Sequence, residues 1–346
     1  MTTPLRLGVL GCANIAKPFI RDVASCPEIE VVAVASRARE TAEAFAAAHG
    51  VPRAIAGYEA MLADPEIDAI YNPLPNSLHA EWTIKAAEAG KHILCEKPLS
   101  VGRAEAEAMV DAARRNGVTL LEAYPYEFQP QTTAMLRLLA DGAIGTVRFA
   151  QASFGFTVPT PETNIRMRPE LGGGALLDAG SYALSVIRLA MGAAPVSVRA
   201  DASWADTGVD ISMMATLRYA DGRRAQLACA MDGGYHRRAL IVGSSGAIET
   251  EYLNHTSDEN GTHPLGFLPS QLRVRRSNAF NTPYEEVKSE TGSGFRFAAE
   301  RFARMVATKD AAAMERHAVA SIENMATLEA IALSARKGAP VDVTLT

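Results

Sequence analysis

A lysine, an aspartate and a tyrosine could carry out chemistry in this chain of 346 residues. Lys97 closes the apolar run at residues 92–95, beside Glu96, and the Pro98 that follows removes a backbone donor and fixes the chain direction there. Asp178 and Tyr182 stand four residues apart behind three consecutive glycines, Gly172, Gly173 and Gly174. Such glycines permit close approach of backbone to a ligand, and the helix they introduce has an apolar stripe through Leu176, Ala179, Ala183, Ile187 and Ala190. The spacing puts Asp178 and Tyr182 together on another face, which the core does not claim. An acid, a phenol and a lysine can move a proton: a neighbouring ammonium stabilises a phenolate whose unperturbed pKa is about 10. Hydride removal from a secondary alcohol needs a base for the hydroxyl proton, and the reverse reduction uses the same group as an acid. Taken singly, each residue has an ordinary alternative: a surface lysine, a packed tyrosine, a capping aspartate.

The elements that must position these residues alternate. Apolar, β-branched runs at 5–10, 31–35, 68–71, 92–95 and 118–123 are separated by helix-forming stretches at 15–23, 39–48, 79–89 and 104–115, the last with Ser100 as its N-cap. Strands spaced in this way imply right-handed crossovers and a doubly wound parallel sheet, which binds ligands where the C-terminal strand ends meet. Those ends carry Gly11-Cys12-Ala13-Asn14-Ile15-Ala16, then Ser36-Arg37, then Asn72-Pro73-Leu74-Pro75-Asn76 with His79 beyond, then Glu96-Lys97-Pro98, and finally Glu122. All present glycine or polar groups to one crevice.

GCANIA sits between a strand and a helix, the context of a dinucleotide-binding turn, although Ala13 and Ala16 stand where the pattern usually has glycines. An acid at the end of the second strand would bond the 2′-hydroxyl of NAD. Here stand Ser36 and Arg37, with Arg39 nearby, and a hydroxyl beside a guanidinium suits the 2′-phosphate of NADP(H), unless the arginines are merely solvated charges. The expected cofactor contacts are Gly11, Cys12, Ala13, Asn14, Ile15, Ser36, Arg37, Pro73, Leu74, Asn76, His79, Glu96 and Lys97.

Length suggests two domains, and 48% apolar with 21% charged residues is a globular composition. The net charge of −5 offers no general attraction to nucleic acid or anionic membranes. The four cysteines and seven histidines are scattered without metal spacing, so no metal is expected. The N-terminus lacks the pattern of an export signal and no apolar stretch reaches membrane-spanning length, so a cytoplasmic protein is expected. After residue 126 the pattern changes. Residues 209–219 are apolar at odd positions, Asp221-Gly222 marks a hairpin, and Ala225, Leu227, Cys229 and Met231 continue the alternation. The opposite face, with Ser212, Met214, Thr216, Gln226, Ala228 and Ala230, is only mildly polar; it is either an oligomer contact or a solvated or helix-covered surface. Residues 295–306 and 318–335 read as helices, and 254–269 as a mobile loop.

Together, GVLGCANIA at 8–16, YNPLPNSLHAEW at 71–82, AGKHILCEKPLS at 89–100, LLEAYPYEFQPQ at 120–131 and NIRMRPELGGGALLDAGSY at 164–182 resemble the glucose-fructose oxidoreductase and inositol dehydrogenase (Gfo/Idh/MocA) family over nearly the whole chain. The resemblance implies an α/β protein: an N-terminal Rossmann domain over 1–124, and a C-terminal α+β domain over 125–346 with a large, mostly antiparallel open sheet that makes a homodimer or homotetramer. It implies Lys97 and Tyr182 as the catalytic pair with Asp178 as polar partner, substrate contacts from Lys97, Glu122, Tyr126, Arg166, Asp178 and Tyr182, and a cis peptide before Pro98. Tyrosine at 182, where many members have histidine, is similar to the NADP-preferring branch of dihydrodiol dehydrogenases, xylose dehydrogenases and deoxysugar 3-ketoreductases. A pyranose sugar dehydrogenase or keto-sugar reductase is therefore expected, with a trans-dihydrodiol dehydrogenase or a non-catalytic NADP-binding sensor as alternatives. The chain departs from the family's Tyr-Arg-Phe-His-Pro run with Glu127 and Gln129. Arg166 and Arg168 either touch substrate or anchor their loop.

Overall fold

A computed structural model describes residues 3–345. The alternating runs form β1 (Leu5–Leu10), α1 (Ala16–Val23), β2 (Ile29–Ser36), α2 (Arg39–His49), β3 (Arg53–Ala56), α3 (Tyr58–Leu62), β4 (Ala69–Asn72), α4 (His79–Glu88), β5 (His92–Glu96), α5 (Arg103–Arg115) and β6 (Leu120–Ala123). The strands lie parallel in the order β3-β2-β1-β4-β5-β6. Helices cover both faces of such a sheet, so its central strands are continuous apolar runs: Val9, Val34, Ile70 and Leu94 are all 0% exposed. The edge strand β3 escapes a sequence reading because it is short and only half-buried along its length. Ser100 does not cap α5. Gly102 takes that place, and the Ser100 hydroxyl donates to the Gly102 carbonyl at 2.8 Å.

The chain then builds α6 (Pro130–Ala140), β7 (Val147–Thr157), α7 (Ser181–Met191), β8 (Ser197–Trp204), β9 (Asp210–Arg218), β10 (Arg224–Ala230), β11 (Asp232–Gly243) and β12 (Ala247–Glu251). A nine-stranded sheet runs Glu285–Glu286, Gln271–Arg275, β12, β11, β7, β10, β9, β8, Val341–Asp342. Its neighbours are antiparallel except β7 and β10. The alternation in β9 sorts its side chains as the period requires, with Met213, Ala215 and Leu217 buried and Met214 70% exposed. Residues 254–269 are an ordered segment, not a mobile loop. His255–Ser257 pairs with Leu268–Pro269 and Gly292–Ser293, and its polarity turns inward, since Thr256 and Ser257 are buried.

Residues up to Tyr124 together with Phe295–Ile322 form one compact unit; Pro125–Gly294 with the residues from Glu323 onward form the other. The sequence division assigned everything after residue 124 to one domain, whereas Phe295–Ile322 groups with the first unit. There Phe295 meets Phe19 edge-on at 5.8 Å, and Phe302 is 0% exposed.

The three glycines have a structural task. A Cβ on Gly173 would collide with the carbonyl oxygens of Arg166 and Arg168, and Gly174, at φ +109°, lies against the Asp210 carboxylate. The close approach is to the protein's own chain. Asp210, buried at the start of β9, accepts the Leu176 amide at 2.6 Å and also bonds the Ala175 amide. It thereby caps the π-helical turn Leu176–Gly180 that leads into α7. Asp210→Ala leaves those buried amides without their acceptor, and a loss of about 2 kcal/mol in urea unfolding is expected; an unchanged unfolding midpoint would show that the cap is dispensable.

Candidate active site

In the first unit the polar strand ends gather around the turn after β1. The Gly11 amide donates to the Ala35 carbonyl at 2.8 Å, and its φ of +88° with only 2.9 Å from a built Cβ to Leu74 Cδ2 reserves the position for glycine. Cys12 and Ala13 are half-buried, Asn14 and Ile15 are exposed, and Ala16 is buried as the first residue of α1. At the end of β2, Ser36 is buried and within hydrogen-bonding reach of the Cys12 thiol, whereas Arg37 is exposed. Arg37 also acts electrostatically on Tyr58, whose hydroxyl is pushed up by burial and pulled back by that charge. No acid occupies this strand end. Arg39 reaches away from it to Glu43, 3.8 Å distant on α2.

Pro73 and Leu74 are buried at the end of β4, and Asn76 is half-buried beyond them. His79, expected at the cofactor, is 0% exposed. Its Nδ1 lies 2.9 Å from the Pro98 carbonyl and its Nε2 2.8 Å from the Leu74 carbonyl, so the ring ties two strand ends together. Burial pushes its pKa down. Glu96 is likewise taken up internally, accepting the Tyr71 hydroxyl at 2.6 Å. Lys97 is half-exposed, and the Lys97–Pro98 peptide is cis.

Glu122, expected at the substrate, is buried, with Oε1 accepting the Leu99 amide at 2.8 Å and Oε2 the Ser321 hydroxyl at 2.5 Å. It holds the segment that follows Lys97 and Pro98. Burial raises its pKa, against the pull of those donors and of Lys97.

In the second unit Tyr182 is 5% exposed, so the core does claim its ring. Phe154 packs edge-on at 5.5 Å and Tyr126 lies at 6.0 Å. The guanidinium of Arg237 lies 4.1 Å from the Tyr182 ring centre. Asn254 Nδ2 donates to the Tyr182 hydroxyl at 3.2 Å. One helical step earlier, Asp178 Oδ2 accepts Arg166 Nε at 2.5 Å, and the Arg166 guanidinium stacks over Phe156 at 5.5 Å. Arg166 thus both anchors its loop and orders the aspartate. Tyr126 is 0% exposed with its hydroxyl 2.7 Å from Ser185 and its ring packed by that of Tyr182.

Gln129 is also internal. Its Nε2 donates to the Asn254 and Gly292 carbonyls at 2.6 and 2.9 Å, and its Oε1 accepts the Thr256 hydroxyl at 3.2 Å. Sequence reasoning missed Arg237 and Asn254. For Arg237 a signal existed: it shares the inward parity of Ala239 and Ile241 on β11, where a charge is out of place. Asn254 lies 72 residues from Tyr182 and offered none.

Residues 5–124 match the family model for the oxidoreductase family with an NAD-binding Rossmann fold, GFO_IDH_MocA, and residues 132–249 match a GFO/IDH/MocA C-terminal domain. The chain belongs to the GFO/IDH/MocA oxidoreductase family. Among similar members, an NADP-linked D-xylose 1-dehydrogenase of Haloferax volcanii is 33% identical over 98% of this chain and 100% of its own length. A dTDP-3,4-didehydro-2,6-dideoxy-alpha-D-glucose 3-reductase of Streptomyces violaceoruber is 40% identical over 79% of this chain and 78% of its own. A 3-ketoreductase of Actinomadura kijaniata, solved with NADP and TDP-benzene, superposes with a TM-score of 0.84 at 30% identity, covering 96% of this chain and 98% of that one. Among the described residues no helix is long and apolar enough to cross a membrane.

The raised pKa of Glu122 has a thermodynamic consequence in this family member. Its contribution is fully present below the unfolded value of about 4.3 and is lost as pH climbs through the higher folded value. The Tm advantage of the wild type over Glu122→Gln, measured from acid to neutral pH, should therefore shrink as pH rises; an advantage that grows with pH would contradict the assignment.

Proposed function

We propose that this protein is an NADP(H)-dependent oxidoreductase of pyranose sugars, oxidising a ring carbinol or reducing a keto-sugar, with cofactor bound by the first unit and substrate by the second. The carrying observation is the setting of Tyr182: a phenol hydrogen-bonded by Asn254, beside a buried guanidinium, one helical step from an ordered carboxylate. The cofactor reading rests on the fit of the β1 turn and on Ser36 and Arg37 with no acid beside them. The Gly11 to Ile15 turn, Ser36, Arg37, Pro73, Leu74, Asn76 and Lys97 would hold NADP, which supplies the hydride acceptor and donor. In oxidation, Tyr182 as phenolate takes the hydroxyl proton while the C–H hydride leaves the same carbon, giving the carbonyl. In reduction, the neutral phenol returns that proton to the oxygen. Lys97 is the cation that the family resemblance pairs with this phenol, and Asp178 orients sugar hydroxyls.

Phe154 and Phe156 beside Tyr182 and Arg166 favour a second reading, oxidation of arene trans-dihydrodiols. Both readings predict that Tyr182→Phe lowers turnover by at least about 100-fold while NADPH binding, followed by fluorescence, is retained. The assignment fails if the loss stays below about tenfold on the best substrate from a panel of D-xylose, D-glucose, other aldopyranoses and trans-benzene dihydrodiol, and the panel also separates the two readings. The four unpaired cysteines, three of them buried, support a reducing, cytoplasmic setting.

The open face of the large sheet, with Met214 70% exposed among Ser212, Thr216, Gln226, Ala228 and Ala230, supports a homodimer or homotetramer. Met214→Glu should shift the mass by light scattering toward the monomer; an unchanged mass would place the contact elsewhere.

A further inference from the structure

Arg237 is 4% exposed, yet among the described residues no carboxylate forms an ion pair with it, and its Nε has no hydrogen-bond partner. A cation so placed is costly unless its surroundings are electron-rich. Four aromatic rings meet that requirement: the guanidinium lies 4.1 Å from the ring centre of Tyr182, 4.8 Å from those of Phe154 and Tyr252, and 5.5 Å from that of Tyr126. Its one side-chain hydrogen bond runs from Nη2 to Asn254 Oδ1 at 3.0 Å, and the amide at the other end of the same side chain donates to the Tyr182 hydroxyl at 3.2 Å. A cation drawing on the amide oxygen makes the amide nitrogen a stronger donor. The Asn254 carbonyl is in turn fixed by Gln129 at 2.6 Å and by the Gly294 amide at 2.8 Å.

We infer that Arg237 and Asn254 form a positioning relay that stabilises the phenolate of Tyr182 from within the substrate unit. This rests on the reading of Tyr182 as the acid/base. The relay supplies positive charge and a fixed hydrogen bond to the phenolate oxygen, so the second unit carries its own share of the activation assigned to Lys97.

Other groups face Tyr182. Tyr126, bonded to Ser185, and Tyr252, whose hydroxyl donates to the Ser153 carbonyl at 2.8 Å, are both pushed up by burial and stay neutral. Asp178, on the preceding turn, opposes the phenolate by its charge, and its ion pair with Arg166 offsets that opposition. Arg237 is therefore the cation nearest the ring in this unit.

The test is the pH dependence of kcat/KM in the oxidation direction at saturating NADP, for the wild type, Asn254→Asp, Arg237→Met and Tyr182→Phe. It is paired with ultraviolet difference titration of each background against its Tyr182→Phe counterpart, which needs no substrate. Asn254→Asp keeps the shape of the side chain, pairs with Arg237 and loses the amide donor. The rising limb and the difference titration should both move up by about one pH unit or more in Asn254→Asp and Arg237→Met. A residue that only packs would lower activity and leave the limb in place. If both variants fold, as judged by circular dichroism and NADPH binding, and their limbs coincide with the wild type, the relay is overturned while the role of Tyr182 stands. If Tyr182→Phe keeps its activity within about tenfold, the acid/base reading itself fails, and the difference titration alone then decides whether the relay acts on the phenol.

Discussion

A positive charge inside a protein has to be compensated, and much of the second unit is arranged around that demand at Arg237. With no carboxylate partner among the described residues, its guanidinium is held by the faces of Tyr126, Phe154, Tyr182 and Tyr252 and by one amide oxygen. Those rings come from separate segments: the chain before α6, β7, α7 and the chain just after β12. Each must be in place before the charge is tolerable, which makes the buried cation a specificity device as much as an electrostatic one. Gln129 extends the same constraint by fixing Asn254 and the Gly292 carbonyl.

The first unit solves a different problem with similar means. Parallel strands bring polar termini to one edge of the sheet, and those termini need partners where water is excluded. His79 bridges two carbonyls, Glu96 receives the Tyr71 hydroxyl, and Glu122 receives the amide that follows Pro98. These three side chains were expected at the ligand because they sit at strand ends. They are also internal struts that tie neighbouring strand ends together.

What could be read from the sequence was what local pattern governs. The period of the apolar runs gave the parallel sheet, GCANIA between strand and helix gave the turn, and the odd-position alternation after residue 209 gave the β9–β10 hairpin. The triple glycine is legible as a place of close backbone approach. Glycine marks close approach, but the sequence does not say to what, and here the partners are the Arg166 and Arg168 carbonyls and Asp210. The spacing from Asp178 singles out Tyr182 but not its burial, because the residues enclosing it come from β7, β11 and the chain after β12. Contacts between distant segments, such as Asn254 to Tyr182 or Gln129 to Thr256, leave no trace in a local window.

The first unit is discontinuous along the chain, because Phe295–Ile322 completes it. Phe295 seals the hydrophobic layer at Phe19, and Ser321 supplies one of the donors that Glu122 requires. On the ribosome, the six parallel strands emerge first and wait for these groups while eight of the nine strands of the large sheet are synthesised. Until then the carboxyl of Glu122 has the Leu99 amide and lacks the Ser321 hydroxyl, and Phe19 has Tyr71 on its face and lacks Phe295 at its edge. Nonsense or frameshift truncations before residue 295 would therefore leave an unfinished first unit even though every strand of its sheet has been made.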